Sequence, residues 1–202
     1  MLRRSILLTA VTVTVGCSQP LAIHKIGLDK ERFTRVNLRP EGNTLRSANF
    51  LILESNIPAG TPARVVFYSD EQVRLLVNAV EYVMWPVPPG GVKFPTDDAG
   101  IDNFLDKLFV DKKEMLNASP QPAAAMKEAV VSGRWVRQMT KDEVYRCLGP
   151  PMEINGGVAT TTLPRSAIMK SDFWTYPHQL LVFEVTRANF TFVNGKLEDV
   201  KK

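Results

Sequence analysis

Residues 139–151 read Met-Thr-Lys-Asp-Glu-Val-Tyr-Arg-Cys-Leu-Gly-Pro-Pro. Thr140 and Glu143 have the spacing of a capping box: the Thr hydroxyl accepts from the Glu143 N–H, and the Glu carboxylate reaches back to the Thr140 N–H. Met139 stands just outside the helix and Val144 one turn in, the positions of a hydrophobic staple. Asp142 and Glu143 put negative charge at the positive end of the helix dipole, and Arg146 lies near the negative end. Gly149 suits a left-handed position after the last turn, and Pro150 and Pro151 forbid continuation. The stretch therefore specifies a short helix with both of its ends. That is a statement about folding, and it names no chemistry.

C-terminal to this helix the pattern is extended. Residues 173–176, Phe-Trp-Thr-Tyr, and the run 180–185 read as strands. Residues 190–193 and 196–200 flank Asn194-Gly195, whose residue types fit a type I′ hairpin turn. Between the helix and these strands, residues 152–171 carry Asn155-Gly156-Gly157, three threonines and Pro164-Arg165, and read as a long loop. By the period of two, Trp174 and Tyr176 share one strand face. Core packing accounts for such a pair, and a partner-binding aromatic patch is the other reading.

N-terminal to the helix, Ser119-Pro120 opens another helix and Gly133 stands near its stop. Residues 117–122, with two prolines, mark the expected domain boundary. Earlier still, Ile101, Phe104, Leu105, Leu108 and Phe109 follow the spacing of an amphipathic helix that Asp97 or Asp98 can cap. Runs at 50–53, 63–68, 73–77 and 81–87 alternate with turn residues and suggest a small antiparallel sheet or barrel. The stretch 57–66 resembles the opening of bacterial SH3-like modules.

The first residues give an address. Arg3 and Arg4 precede ten largely apolar residues, 6–15, and Gly16-Cys17; a bilayer-spanning helix needs ~20. Small residues before a cysteine resemble the bacterial lipobox, in which cleavage after Gly16 leaves Cys17 as an acylated N-terminus. Acyl chains contribute ~0.8 kcal/mol per buried CH₂, and more than one chain gives stable anchoring. Loss of Arg3 and Arg4 lowers the formal charge from +4 by two, to +2. A nucleic-acid binder needs a concentrated basic surface, which that balance does not require. The basic lean of residues 23–46 reads as a solvated tether, or as a segment near anionic headgroups. With Cys17 acylated, Cys147 has no intramolecular partner and reads as a buried small hydrophobe.

Chemistry is otherwise sparse. The two histidines, His24 and His178, do not make a zinc set with the two cysteines. Asp97, Asp98, Asp102 and Asp106 lack EF-hand spacing and read as caps and a solvated helix face. No nucleophile elbow, Walker loop or dinucleotide fingerprint appears. No catalytic residue, metal or cofactor is therefore expected.

Over residues 132–200 the ordered features resemble the SmpA/OmlA family of small outer-membrane lipoproteins, which includes an accessory lipoprotein of the β-barrel assembly machinery. The matching residues are Gly133, Met139-Thr140, Glu143-Val144, Leu148-Gly149-Pro150-Pro151, Trp174-Thr175-Tyr176, Phe190-Thr191-Phe192 and Asn194-Gly195-Lys196. Gln138 stands where that family usually has glycine. The resemblance implies a C-terminal domain of two helices packed on a three-stranded antiparallel sheet. The expected fold is thus α+β, with a small β-rich, SH3-like N-terminal domain and an amphipathic helix. The expected division is 1–16 signal peptide, 17–44 tether, 45–117 β-rich domain plus helix, and 118–202 SmpA/OmlA-like domain. The expected function is a non-catalytic scaffold or assembly accessory at the outer membrane, facing the periplasm. It would be lipid-anchored through Cys17 and would contact envelope proteins through Trp174, Tyr176 and the 152–171 loop. A binding or inhibitory module and an envelope enzyme remain open alternatives.

Overall fold

The computed structural model describes residues 23, 27–49, 51, 53–87, 92–112, 124–159, 161, 163–181 and 184–202. Gly16, Cys17, His24 and the expected boundary at 117–122 lie outside them. Among the described residues the chain is mostly β, with eleven strands in two sheets and four short helices. This corrects the α+β expectation of two helices on a three-stranded sheet.

The first sheet holds β1 (Arg32–Thr34), β2 (Thr44–Arg46), β3 (Pro62–Tyr68), β4 (Val73–Val77), β5 (Val80–Trp85) and β6 (Phe109–Val110), in the order β2-β5-β4-β3-β1-β6. Alternate residues of β3 and β4, including Ala63, Val65, Val73, Leu75 and Val77, face the core, as period-two patterning requires. A bulge between Val65 and Phe67 breaks the β3–β4 register. β4 and β5 form a tight hairpin through Asn78 (φ 47°) and Ala79 (φ 64°). Both residues occupy the left-handed region that a type I′ turn demands. β2 returns parallel to β5, with Leu45 opposite Met84, both fully buried. From Gly27 on, the segment read as tether is built into the fold: β1 pairs with β3 and β6, and Val36 and Leu38 are core residues.

Helix α1 (Asp98–Leu108) follows, with Asp97 as its cap accepting from the Gly100 N–H at 2.8 Å. Its Ile101, Phe104, Leu105 and Leu108 join the core. Two more helices, α2 (Ala124–Val131) and α3 (Lys141–Leu148), lead to the second sheet. In α3 both halves of the capping box are present. Gly149 adopts φ 78°, and a side chain there would come within 3.0 Å of the Asn49 amide. Gln138 adopts φ 70°. Glycine enters that region without steric cost, so the departure from the family pattern falls at a position where the backbone favours glycine.

The second sheet holds β7 (Glu153–Ile154), β8 (Gly157–Val158), β9 (Phe173–Leu181), β10 (Glu184–Val193) and β11 (Lys196–Lys201), in the order β11-β10-β9-β7-β8. Residues 152–171 are therefore not a loop. They supply the two short strands β7 and β8, of which β8 is the sheet edge, and helix α4 (Arg165–Lys170), with Met152, Ala159 and Ile168 fully buried. The run 180–185 straddles the end of β9 and the start of β10. The hairpin at Asn194-Gly195 joins β10 to β11 as its residue types require.

One core cluster draws on both sheets, from Leu45 and Leu75 to Trp174 and Phe190. Buried polar side chains tie its parts together. Asn37 donates to Val130 O at 2.6 Å, and Asn49 donates to Asn37 O and Leu148 O, each at 2.8 Å. Both amides thereby donate to carbonyls at the C-terminal ends of α2 and α3, where the helical ladder runs out, and Val130 O accepts from the Gly133 N–H as well, at 3.1 Å. None of the helices among the described residues is long and apolar enough to cross a membrane.

Candidate functional site

A cleft of about 520 Å³ opens where the segment after β2 meets the turn after α2. It is lined by Arg39, Leu51, Leu53, Glu54, Ser132, Gly133, Arg134 and Trp135; Arg39 is buried, whereas Glu54, Ser132 and Arg134 are exposed. Trp135 is held by an edge-on contact with Phe190, ring centroids 5.4 Å apart.

Arg39 is 8% exposed. Its backbone N–H donates to the Asn49 side chain at 3.1 Å, which fixes where the side chain starts. The guanidinium donates to the carbonyls of Leu51 (3.1 Å), Leu53 (2.9 Å) and Gly133. Gly133 adopts φ 71°, and a Cβ there would stand 3.1 Å from the Arg39 terminal nitrogen, so glycine makes room for the cation. The Arg39 Nε is buried and has no hydrogen-bond partner. No carboxylate among the described residues lies in ion-pair range of Arg39. Burial pushes its pKa below the ordinary arginine value, and only the nearby Cys147 thiol acts in the other direction. A buried cation compensated by neutral carbonyls leaves a positive potential beside an open cleft. The arrangement can hold an anionic group attached to an apolar body.

Among the described lining residues the one hydroxyl is that of Ser132, which donates to Ala129 O at 3.1 Å and accepts from Arg134 Nε at 3.2 Å, with no general base hydrogen-bonded to it. Cys147 is fully buried, and desolvation pushes its thiol up to about 12, so it stays protonated. Among the described residues no three His, Cys, Asp or Glu side chains gather to hold a metal. Asp97 is a helix cap, and Asp106 pairs with Arg35 at 2.7 Å. His178 leaves its Nδ1 buried without a hydrogen-bond partner.

Trp174 and Tyr176 are both fully buried, which corrects their reading as partner contacts. Trp174 lies 4.6 Å from Phe192 and Tyr176 lies 5.0 Å from Phe190, centroid to centroid. The indole N–H donates to Ile168 O at 3.1 Å, and the Tyr176 hydroxyl donates to Gly149 O at 2.8 Å. Their shared strand face is the inner one, because α3 and α4 pack over it.

Two features escaped the sequence reading. Arg39 looked like one of several basic tether residues. Nothing in the sequence reading singles out Lys107; it is fully buried, and its amine donates to Ala159 O at 3.3 Å. Burial pulls its pKa down to about 7, with Asp106 partly opposing. Lys107 lies three residues after Phe104, on the inward side of the helix, and that spacing is the signal that could have found it.

No protein-family model matches the chain, and no curated protein or solved structure matches it either.

Proposed function

We propose that the chain is a lipid-anchored protein of the bacterial cell envelope. It acts as a non-catalytic scaffold, holding an envelope protein through the Arg39 cleft. One observation carries the binding half of this reading: a buried guanidinium without a carboxylate partner among the described residues lines a mainly polar cleft that also presents Leu51, Leu53 and Trp135. The address is supported by the short apolar run ending at Gly16-Cys17, and the motif resemblance to outer-membrane lipoproteins points the same way. A partner segment presenting a carboxylate to Arg39 and Arg134 and an apolar side chain to Leu51, Leu53 and Trp135 would fit the cleft on the side away from Glu54. Sharing a membrane raises the effective concentration of such a partner, so a modest contact suffices.

The test is photo-crosslinking in native envelopes with the reactive group at Ser132, an exposed lining residue. A discrete captured protein is expected, and Leu53→Asp in the same chain should diminish it by putting an acid beside the incoming carboxylate. The same group at Val80, exposed at the β4–β5 turn, should not capture it. Equal capture from both positions, or capture indifferent to Leu53→Asp, overturns the assignment of the cleft.

A further inference from the structure

The outward face of the six-stranded sheet is basic and apolar together. Trp85 lies opposite Arg46, and Arg64 lies in one cross-strand row with Leu76 and Glu81. Val66 is 44% exposed and Trp85 39%. Arg74 stacks on Phe67 at 4.6 Å and pairs with Glu81 at 3.4 Å, which uses the carboxylate of that row. Arg46 and Arg64 have no carboxylate within ion-pair reach among the described residues. The face therefore carries two uncompensated positive charges set among exposed apolar side chains. Arginine stems and tryptophan rings both suit a boundary between water and hydrocarbon.

The course of the chain brings this face to a membrane. The Ile23 N–H donates to Tyr68 O, at the end of β3, at 2.7 Å. Cys17 precedes Ile23 by six residues. A fully extended chain spans at most ~3.3–3.6 Å per residue, so an acyl group on Cys17 holds that end of β3 within about 20 Å of the lipid. Electrostatic attraction to headgroups extends about 8–10 Å at physiological salt, so modest tilting brings the arginines into range.

We propose that the β3–β4–β5 face lies against an anionic bilayer surface, with Arg46 and Arg64 meeting lipid headgroups and Trp85 and Val66 entering the interface. This rests on the anchoring half of the proposed function and is independent of the Arg39 cleft. An acidic protein would satisfy the charges as well, but the short tether holds the lipid surface beside the face at all times.

The experiment uses the acylated full mature chain carrying Val66→Cys, labelled with a fluorophore and reconstituted into vesicles containing doxyl-labelled lipid. Buried Cys147 does not compete for the label. Strong quenching is expected in vesicles containing phosphatidylglycerol, and at least a twofold loss of it in phosphatidylcholine alone, in high salt, or with Arg46→Glu and Arg64→Glu together. A label at Val193→Cys, in the other sheet, should remain unquenched. Flotation of the same samples reads the anchor separately. Protein that floats while Val66 is unquenched, or is quenched no more than Val193, refutes the face and leaves the anchor standing. Absence of acylation at Cys17 in cells removes the tether and overturns both.

Discussion

Lys107→Met should abolish a rise in stability between neutral and alkaline pH. The lysine lies on the buried side of α1, its amine beside the Ala159 carbonyl and 5.9 Å from the Phe104 ring. Its pKa falls from 10.5 to about 7 on folding, chiefly through desolvation. A lowered lysine pKa means that the unfolded chain binds the extra proton between those two values, so stability increases with pH through that window. Each unit is ~1.36 kcal/mol, so the wild type should gain about 2–3 kcal/mol from about pH 6 to pH 9. Buried Cys147, pushed up from 9.0 to about 12, acts oppositely but only above pH 9, outside the range. Methionine keeps an unbranched stem of similar helix propensity and carries no proton. Urea midpoints at several pH values, followed by tryptophan fluorescence, read the slope directly. The absolute offset of the variant is secondary, because Ala159 O also loses a donor. Should Lys107→Met show the same rise as the wild type, the buried amine is not its source and the reasoning fails.

Thr140→Ala removes one half of the capping box and should cost about 0.5–2 kcal/mol by denaturant midpoint. Gly149→Val should cost more, because φ 78° is hostile to a β-branched residue and the Asn49 amide blocks the Cβ. Cys147 should resist alkylation in the native chain and react on unfolding, as a thiol-labelling time course in denaturant would report. Labelled palmitate should mark the wild type in cells and fail to mark Cys17→Ala, which should also leave the membrane fraction; label retained on the variant would refute the anchor.

What could be read from the sequence is local. Thr140, Glu143 and Gly149 specify their helix within one short stretch, and Asn194-Gly195 specifies its turn with two residues, so neither needs the rest of the chain. β7 and β8 have two residues each, too few for a period to show, and they are strands only because β9 offers an edge to β7 and β7 offers one to β8. That is why residues 152–171 read as a loop and the second sheet read as three strands. The tether reading of 27–44 failed for a related reason: β1 has three residues, and its charged neighbours conceal a segment that is buried by partners far along the chain. Arg39 illustrates the same limit. Nothing near it in sequence announces Gly133, whose missing side chain makes room for the guanidinium. Trp174 and Tyr176 were placed on one face correctly, but period alone cannot say which face is covered.

The amides of Asn37 and Asn49 also govern when the molecule can fold. Asn37 joins Val130 across 93 residues and Asn49 joins Leu148 across 99. Closing loops of that length costs entropy before any contact repays it, and topologies rich in such contacts fold slowly. A chain emerging N-terminus first presents β1 to β5 long before the ends of α2 and α3 arrive to receive the two amides. Until then Asn37 and Asn49 have no helix ends to satisfy, and the apolar inner face of the first sheet lacks its cover. Such an intermediate exposes strand edges and core residues, the features that invite aggregation and chaperone capture. On the ribosome, the core is completed only after the residues around Val130 and Leu148 have emerged.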